Sequence, residues 1–221
     1  MNSERLSVAD QPGSDCTRLH VLVLASDVLF SHFFPETTLA RLSEVAEWSQ
    51  HAGRDDSPQL RAQIAQTDVL ITTWHSPFLH EEMFGAQPRV RLIAHCGGEV
   101  KSRMEEGIVD HIRVTNAAEP MVAPVAEMAL ALMLTLVRRL PHYAAEMRAG
   151  VVRTNEYVSC GETVRGRKIG LIGFGRIGRA FARLVEPLGV ELLVTDPGCS
   201  AETVAAHGGE LLDLDELLSS C

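Results

Sequence analysis

Apolar residues in the first half of the chain fall into short compact runs separated by polar segments. After a polar leader, residues 19–25 (LHVLVLA) form an unbroken branched run, the pattern of a strand buried on both faces that opens a parallel sheet. Residues 35–47 place Leu39, Leu42, Val45 and Ala46 at helical spacing. Strand-like runs follow at 68–73 and 90–94, with a weaker one at 111–115. Polar, helix-compatible segments at 57–66 and 99–106 lie between them. Strands alternating with helices predict an α/β domain around a mostly parallel sheet.

The pattern then changes. Residues 124–140 (PVAEMALALMLTLVRRL) read as one long helix, with Pro124 in its first turn and Pro141 marking a stop or kink. Glu127 near its N-terminal end and Arg138 and Arg139 near its C-terminal end suit the helix dipole. Apolar residues lie around nearly all of it. That pattern belongs either to a helix between two bodies, joining domains or facing another subunit, or to a plain core helix. A polar connector at 148–167 leads to two more strands, Lys168–Ile172 and residues 190–195, on either side of a helix expected over Arg176–Val185.

Composition narrows the function classes. Apolar residues make up 46% of the 221 positions and charged ones 22%, an ordinary globular balance. The net charge of -9, with no cluster of Lys and Arg, argues against a nucleic-acid partner. The N-terminus lacks a basic start followed by an apolar run, which predicts a cytoplasmic protein. The longest apolar stretch, 125–137, is short for a bilayer and contains Glu127, so no membrane partner is expected. Five scattered cysteines (Cys16, Cys96, Cys160, Cys199, Cys221) without a C-x-x-C read as reduced thiols. His75 and His80 flank Pro77, which disfavours a shared helical face, and no metal site is expected.

The densest chemical signal is GFGRIG, directly after Lys168–Ile172. It sets Gly173, Gly175 and Gly178 at G-x-G-x-x-G spacing. Gly173 permits the tight turn out of the strand, Gly175 lets the backbone approach a pyrophosphate, and Gly178 allows the helix to pack closely on the sheet. The first free amides of that helix, at Arg176 and Ile177, would face the pyrophosphate. The next strand ends at Asp196, 23 positions after Gly173, where a carboxylate can accept from both adenosine ribose hydroxyls and repel a 2′-phosphate. Strand, glycines, helix, strand and terminal acid in this order predict dinucleotide binding, with NAD preferred over NADP.

With these residues in place, the chain resembles the D-isomer-specific 2-hydroxyacid dehydrogenases, relatives of phosphoglycerate dehydrogenase and hydroxypyruvate reductase. The resemblance rests on RLIAHCGGEV (91–100), IRVTNAAEPMVAPVAEMALALML (112–134) and the 166–197 segment with the glycine motif. It implies a flavodoxin-like substrate domain over residues 1–120. An incomplete Rossmann NAD-binding domain would follow over 121–221, entered through the long helix, with the active site in the cleft between the two. It also implies hydride transfer between nicotinamide and C2 of a small 2-hydroxy or 2-keto acid, and a homodimer when complete. The amides around Gly97 and Gly98 match the family's substrate-carboxylate loop, with two departures: Glu99 stands where a second glycine is common, and Lys101 where an acid is common. Trp74 and His75 fall in another cleft-facing loop and carry no assigned role. The family's catalytic arginine, carboxylate and histidine come after the last residue of this sequence, so no catalytic residue is assigned and an incomplete chain is expected. His95 and His111 are no substitutes, each being read as part of a strand. The alternative expectation is a non-catalytic NAD(H)-binding or sensing protein on the same scaffold.

Overall fold

The computed structural model describes residues 18–151 and 161–221. The polar leader, Cys16, Cys160 and part of the polar connector lie outside the described residues. The chain divides into two compact units, Met1–Ala117 and Ala118–Cys221.

In the first unit, β1 (Leu19–Leu24), α1 (Asp27–Phe33), α2 (Glu36–Val45), β2 (Ala46–His51), α3 (Pro58–Ile64), β3 (Val69–Thr72), β4 (Leu92–His95), α4 (Ile108–His111) and β5 (Arg113–Asn116) follow in chain order. All neighbouring strands pair in parallel, in the order β2-β1-β3-β4-β5. This is the flavodoxin-like arrangement. The apolar run of β1 serves both faces of the sheet. Leu22 and Leu24 enter one core with Leu60, Ile64, Leu70 and Ile93, while Val21 and Val23 enter the other with Ala25, Phe34 and Ala46. Ser57 starts α3 by accepting the Leu60 amide at 3.1 Å, with Pro58 in the first turn where no amide donor is needed.

Three expectations are corrected here. The helix expected to 47 ends at Val45, and the chain passes without a turn into β2, whose Ala46 is already extended (φ -150°, ψ 160°). The 99–106 segment forms only a short 3-10 turn, Lys101–Arg103, in which Glu99 accepts the Ser102 amide, and Met104 then bridges to Leu79 in extended conformation. His111 belongs to α4 and not to a strand, the extended run beginning two residues later at Arg113.

The second unit runs α5 (Val122–Val137), α6 (Leu140–Arg148), β6 (Lys168–Ile172), α7 (Arg176–Val185), β7 (Glu191–Thr195), α8 (Ala201–Ala205), β8 (Gly209–Leu211) and α9 (Leu214–Ser220). Its parallel sheet has the order β6-β7-β8, one mononucleotide half of a doubly wound fold. The core gathers Phe174, Phe181, Ala182, Val185, Leu192, Val194 and Val204, with Ala126 from α5. Ala126 is fully buried, and Ala129, Leu130 and Met133 pack beside it.

The long helix departs from the sequence reading in two ways. Pro141 does not stop it: the break comes earlier, at Arg139, which adopts a left-handed conformation (φ 53°), and Pro141 lies in the first turn of α6. Nor does length exclude a membrane. Taken with the 3-10 turn before it, the helix covers Glu119–Val137, 19 residues of mean hydropathy 1.8, long and apolar enough to cross a bilayer. Its apolar circumference is not enclosed within the described unit. Met128, Leu132 and Leu136 are 60%, 56% and 71% exposed.

Candidate functional site

The turn from β6 into α7 gives each motif glycine a different structural requirement. Gly173 has φ +97°, a conformation that a side chain would strain, and its amide donates to Thr195 O at 2.8 Å to tie the turn to the end of β7. Gly175 has ordinary dihedrals (φ -72°) and open space where a Cβ would stand. An anion can therefore approach the backbone there, beside the first-turn amides of Arg176 and Ile177, which have no acceptor inside the helix. Gly178 is the tight point. A Cβ there would lie 2.4 Å from Gly173 O, so its absence sets how closely α7 approaches the turn.

Asp196 immediately follows β7 and reaches the same turn. One carboxylate oxygen accepts the Phe174 amide at 2.6 Å and the other accepts the Gly198 amide at 2.7 Å. These two bonds orient the carboxylate beside the glycine turn and, with the Phe174 bond first, hold its pKa below the usual carboxylate range; the charge of Arg179 acts in the same direction. Sequence reasoning missed this linkage, along with Arg179 and Cys199. Arg179 Nε donates to Phe174 O at 3.1 Å, and the Cys199 thiol lies 3.6 Å from the same carbonyl. An open cleft of about 730 Å³ lies along the C-terminal ends of the strands, lined by Ile172, Gly173, Thr195, Asp196, Leu211 and Leu214 among others. Ile172 and Leu214 stay 66% and 47% exposed at its edge, the apolar surface a flat heterocycle could cover. The motif residues Gly173, Gly175, Arg176, Ile177, Gly178 and Asp196 thus come together at one sheet end. The Arg176 side chain leans 3.5 Å from Glu119 on the surface and is 65% exposed.

A depressed folded-state pKa gives a definite sign to the pH dependence. The stabilisation from ionised Asp196 is fully present above the ordinary carboxylate pKa of about 3.9 and is lost as pH falls through its lower folded value. Its carboxyl carbon is expected to titrate below the ordinary aspartate value in an NMR pH series. Titration at or above that value would mean that the Phe174 and Gly198 bonds are not formed in solution.

In the first unit, Gly97 and Gly98 lie just after β4. Gly97 O accepts the Ala117 amide at 2.9 Å, while the amides of Gly97 and Gly98 have no hydrogen-bond acceptor among the described residues. A Cβ at Gly97 would stand 2.4 Å from His95 Nε2 and 2.6 Å from Trp74 Nε1, so a side chain there would displace one or both rings. His95 itself is 2% exposed. Its Nδ1 lies 2.9 Å from the Thr72 hydroxyl and its Nε2 has no partner among the described residues. Burial first, then the charge of Arg103, pushes the His95 pKa down, so the ring is neutral at physiological pH. Glu99 accepts from both the Ser102 amide (3.0 Å) and its hydroxyl (2.5 Å). Its carboxylate is thereby engaged by the following turn.

With this geometry described, comparison with known proteins gives consistent matches. Residues 130–221 match the family profile "D-isomer specific 2-hydroxyacid dehydrogenase, NAD binding domain". The chain is 28% identical over 195 residues to the D-3-phosphoglycerate dehydrogenase of Mycobacterium tuberculosis, covering 87% of this chain and 36% of that protein. It is 30% identical over 199 residues to the glyoxylate reductase of Thermococcus onnurineus, covering 86% and 59% respectively. Among solved structures, the D-lactate dehydrogenase of Aquifex aeolicus complexed with NAD and lactic acid superposes with a TM-score of 0.70 at 22% identity, covering 91% of this chain and 58% of that one. The chain therefore spans about a third to three fifths of the length of these relatives.

Proposed function

We propose, for a chain whose residues 130–221 belong to the NAD-binding domain family of the D-isomer specific 2-hydroxyacid dehydrogenases, that it serves an NAD-dependent oxidoreductase acting on the CH–OH group of a small D-2-hydroxy acid. The observation that carries the reading is the Asp196 carboxylate, held against the glycine turn by the Phe174 amide at 2.6 Å. In this role Gly173, Gly175 and Gly178 shape the turn, Arg176 and Ile177 present amides to the pyrophosphate, and Asp196 accepts from the adenosine ribose hydroxyls. When bound, the dinucleotide supplies hydride chemistry at C2 of the acid. Gly97 and Gly98 hold the substrate carboxylate through their amides. Proton transfer is assigned to none of the 221 residues. A cytoplasmic location goes with this reading.

The test joins binding to turnover. The protein is expected to bind NADH in preference to NADPH, and Asp196→Ala to weaken NADH binding about ten-fold while narrowing that preference, since a charge-assisted bond is worth roughly 1.5–3 kcal/mol. Unchanged affinity and selectivity would remove Asp196 from the site. NADH consumption with glyoxylate, pyruvate or hydroxypyruvate separates an enzyme from an NAD(H) sensor, which would bind without consuming it.

The exposed α5 face of Met128, Leu132 and Leu136 supports a homodimer, because contiguous apolar surface of this kind favours self-association over solvent. Leu132→Asp is expected to shift the sedimentation profile from dimer to monomer. A monomeric wild type, or one that pellets with vesicles, would overturn the dimer.

A further inference from the structure

We propose that Trp74 determines substrate specificity at the Gly97–Gly98 loop, selecting 2-hydroxy or 2-keto acids that carry an aromatic side chain. This rests on the reading of Gly97 and Gly98 as the carboxylate loop and narrows the substrate class at that site.

The first observation is how firmly an exposed tryptophan is held. Trp74 sits at the tip of a turn following β3. The Thr73 amide donates to Ser76 Oγ at 2.7 Å, and the Ser76 amide donates back to Thr73 O at 3.2 Å. Both hydroxyls then anchor to the end of β1, with Ser76 Oγ 2.6 Å and Thr73 Oγ1 3.0 Å from Leu24 O. From the other side Arg103 Nη1 donates to Trp74 O at 2.8 Å. Despite this scaffold Trp74 remains 39% exposed. A large apolar ring fixed in solvent by its own backbone is a preorganised contact surface.

The second observation is its place. The indole Nε1 lies so near Gly97 that a Cβ there would stand 2.6 Å from it. The ring therefore borders the loop whose amides would hold the carboxylate. Phe33 meets the indole edge-on, with centroids 5.4 Å apart and planes at 69°, and extends the aromatic wall. In a 3-aryl-2-hydroxypropanoate only C2 and C3 separate the carboxylate from the aryl ring. A carboxylate on the Gly97 and Gly98 amides therefore brings that ring alongside Trp74. The Nε1–H, beside Gly97, can also donate to the carboxylate.

The experiment is isothermal titration of the 221-residue protein with D-3-phenyllactate and D-lactate, with thermal unfolding run on each variant as the folding control. The wild type is expected to bind phenyllactate about ten-fold more tightly than lactate. Trp74→Ala is expected to erase that difference while still binding lactate, and Trp74→Phe, which keeps an aromatic face, to retain most of it. Equal affinities in the wild type, or a difference that survives in Trp74→Ala, would overturn the specificity role and leave the carboxylate loop standing. If neither acid binds while the dinucleotide still does, both the loop and the specificity reading fail and the cofactor site stands.

Discussion

Gly175→Ala is expected to lower NADH affinity by about a hundred-fold while leaving the thermal unfolding transition almost where it was. The reason lies in the space around that glycine. Beyond its own chain neighbours no atom lies within 4 Å of the position a Cβ would take, and its φ of -72° is one any residue adopts, so the substitution meets no resistance in the folded protein. The same methyl group would occupy the approach of a pyrophosphate to the first-turn amides of α7. Displacing two charge-assisted hydrogen bonds, at roughly 1.5 kcal/mol each, corresponds to about two powers of ten in affinity. Calorimetric titration with NADH, together with a melting curve, checks both halves. Wild-type affinity in a folded Gly175→Ala protein would move the pyrophosphate elsewhere.

Gly178→Ala is expected to do the reverse, destabilising the second unit directly. In a solvent-exposed helix the change would be favourable by about 1 kcal/mol, because alanine loses less backbone entropy than glycine. Here the new Cβ would lie 2.4 Å from Gly173 O and 3.3 Å from Gly173 C, and both neighbours are backbone atoms that cannot rotate away. Helix α7 would have to lift from the turn, loosening the packing of Phe181, Ala182 and Val185 in the core behind it. Overpacking of this kind costs roughly 1–3 kcal/mol, enough to reverse the helix-propensity gain. Urea unfolding measures the balance. A variant more stable than the wild type would show that α7 does not depend on this close approach.

The contrast between these two glycines indicates what could be read from the sequence. Spacing alone placed both at the turn, because strand, glycines and helix are local features. α7 spans Arg176–Val185 as expected for the helix that follows the glycine motif, and the unbroken run of β1 is buried on both faces. β2 was not legible. AEWSQH lacks an apolar run, lies at the sheet edge and is extended because it pairs with β1 from Leu19↔Ala46 to Leu24↔His51, a tertiary contact that leaves no local signal. The end of α5 misled for a related reason. Pro141 is a strong local marker, yet the left-handed turn falls on Arg139, an ordinary residue by type.

The candidate site divides in the same way. Asp196 could be picked out as the acid ending the second strand, but its bond to the Phe174 amide joins groups 22 residues apart and exists only once β6 and β7 pair. The departure at Glu99 was visible as chemistry, whereas the capture of its carboxylate by Ser102 required the fold. Trp74 carried no motif at all. Its proximity to Gly97 depends on β3 and β4 being neighbours in register, with Thr72 opposite His95.

The most direct test of the account is titration of the 15N-labelled protein with ADP-ribose, which carries the adenosine, pyrophosphate and second ribose but no nicotinamide. Saturable binding at one site per chain is expected, with the largest amide shifts at Gly173, Phe174, Gly175, Arg176, Ile177 and Asp196. Absence of binding, or shifts confined to other residues while these six stay fixed, would contradict the assignment of this turn as the dinucleotide site.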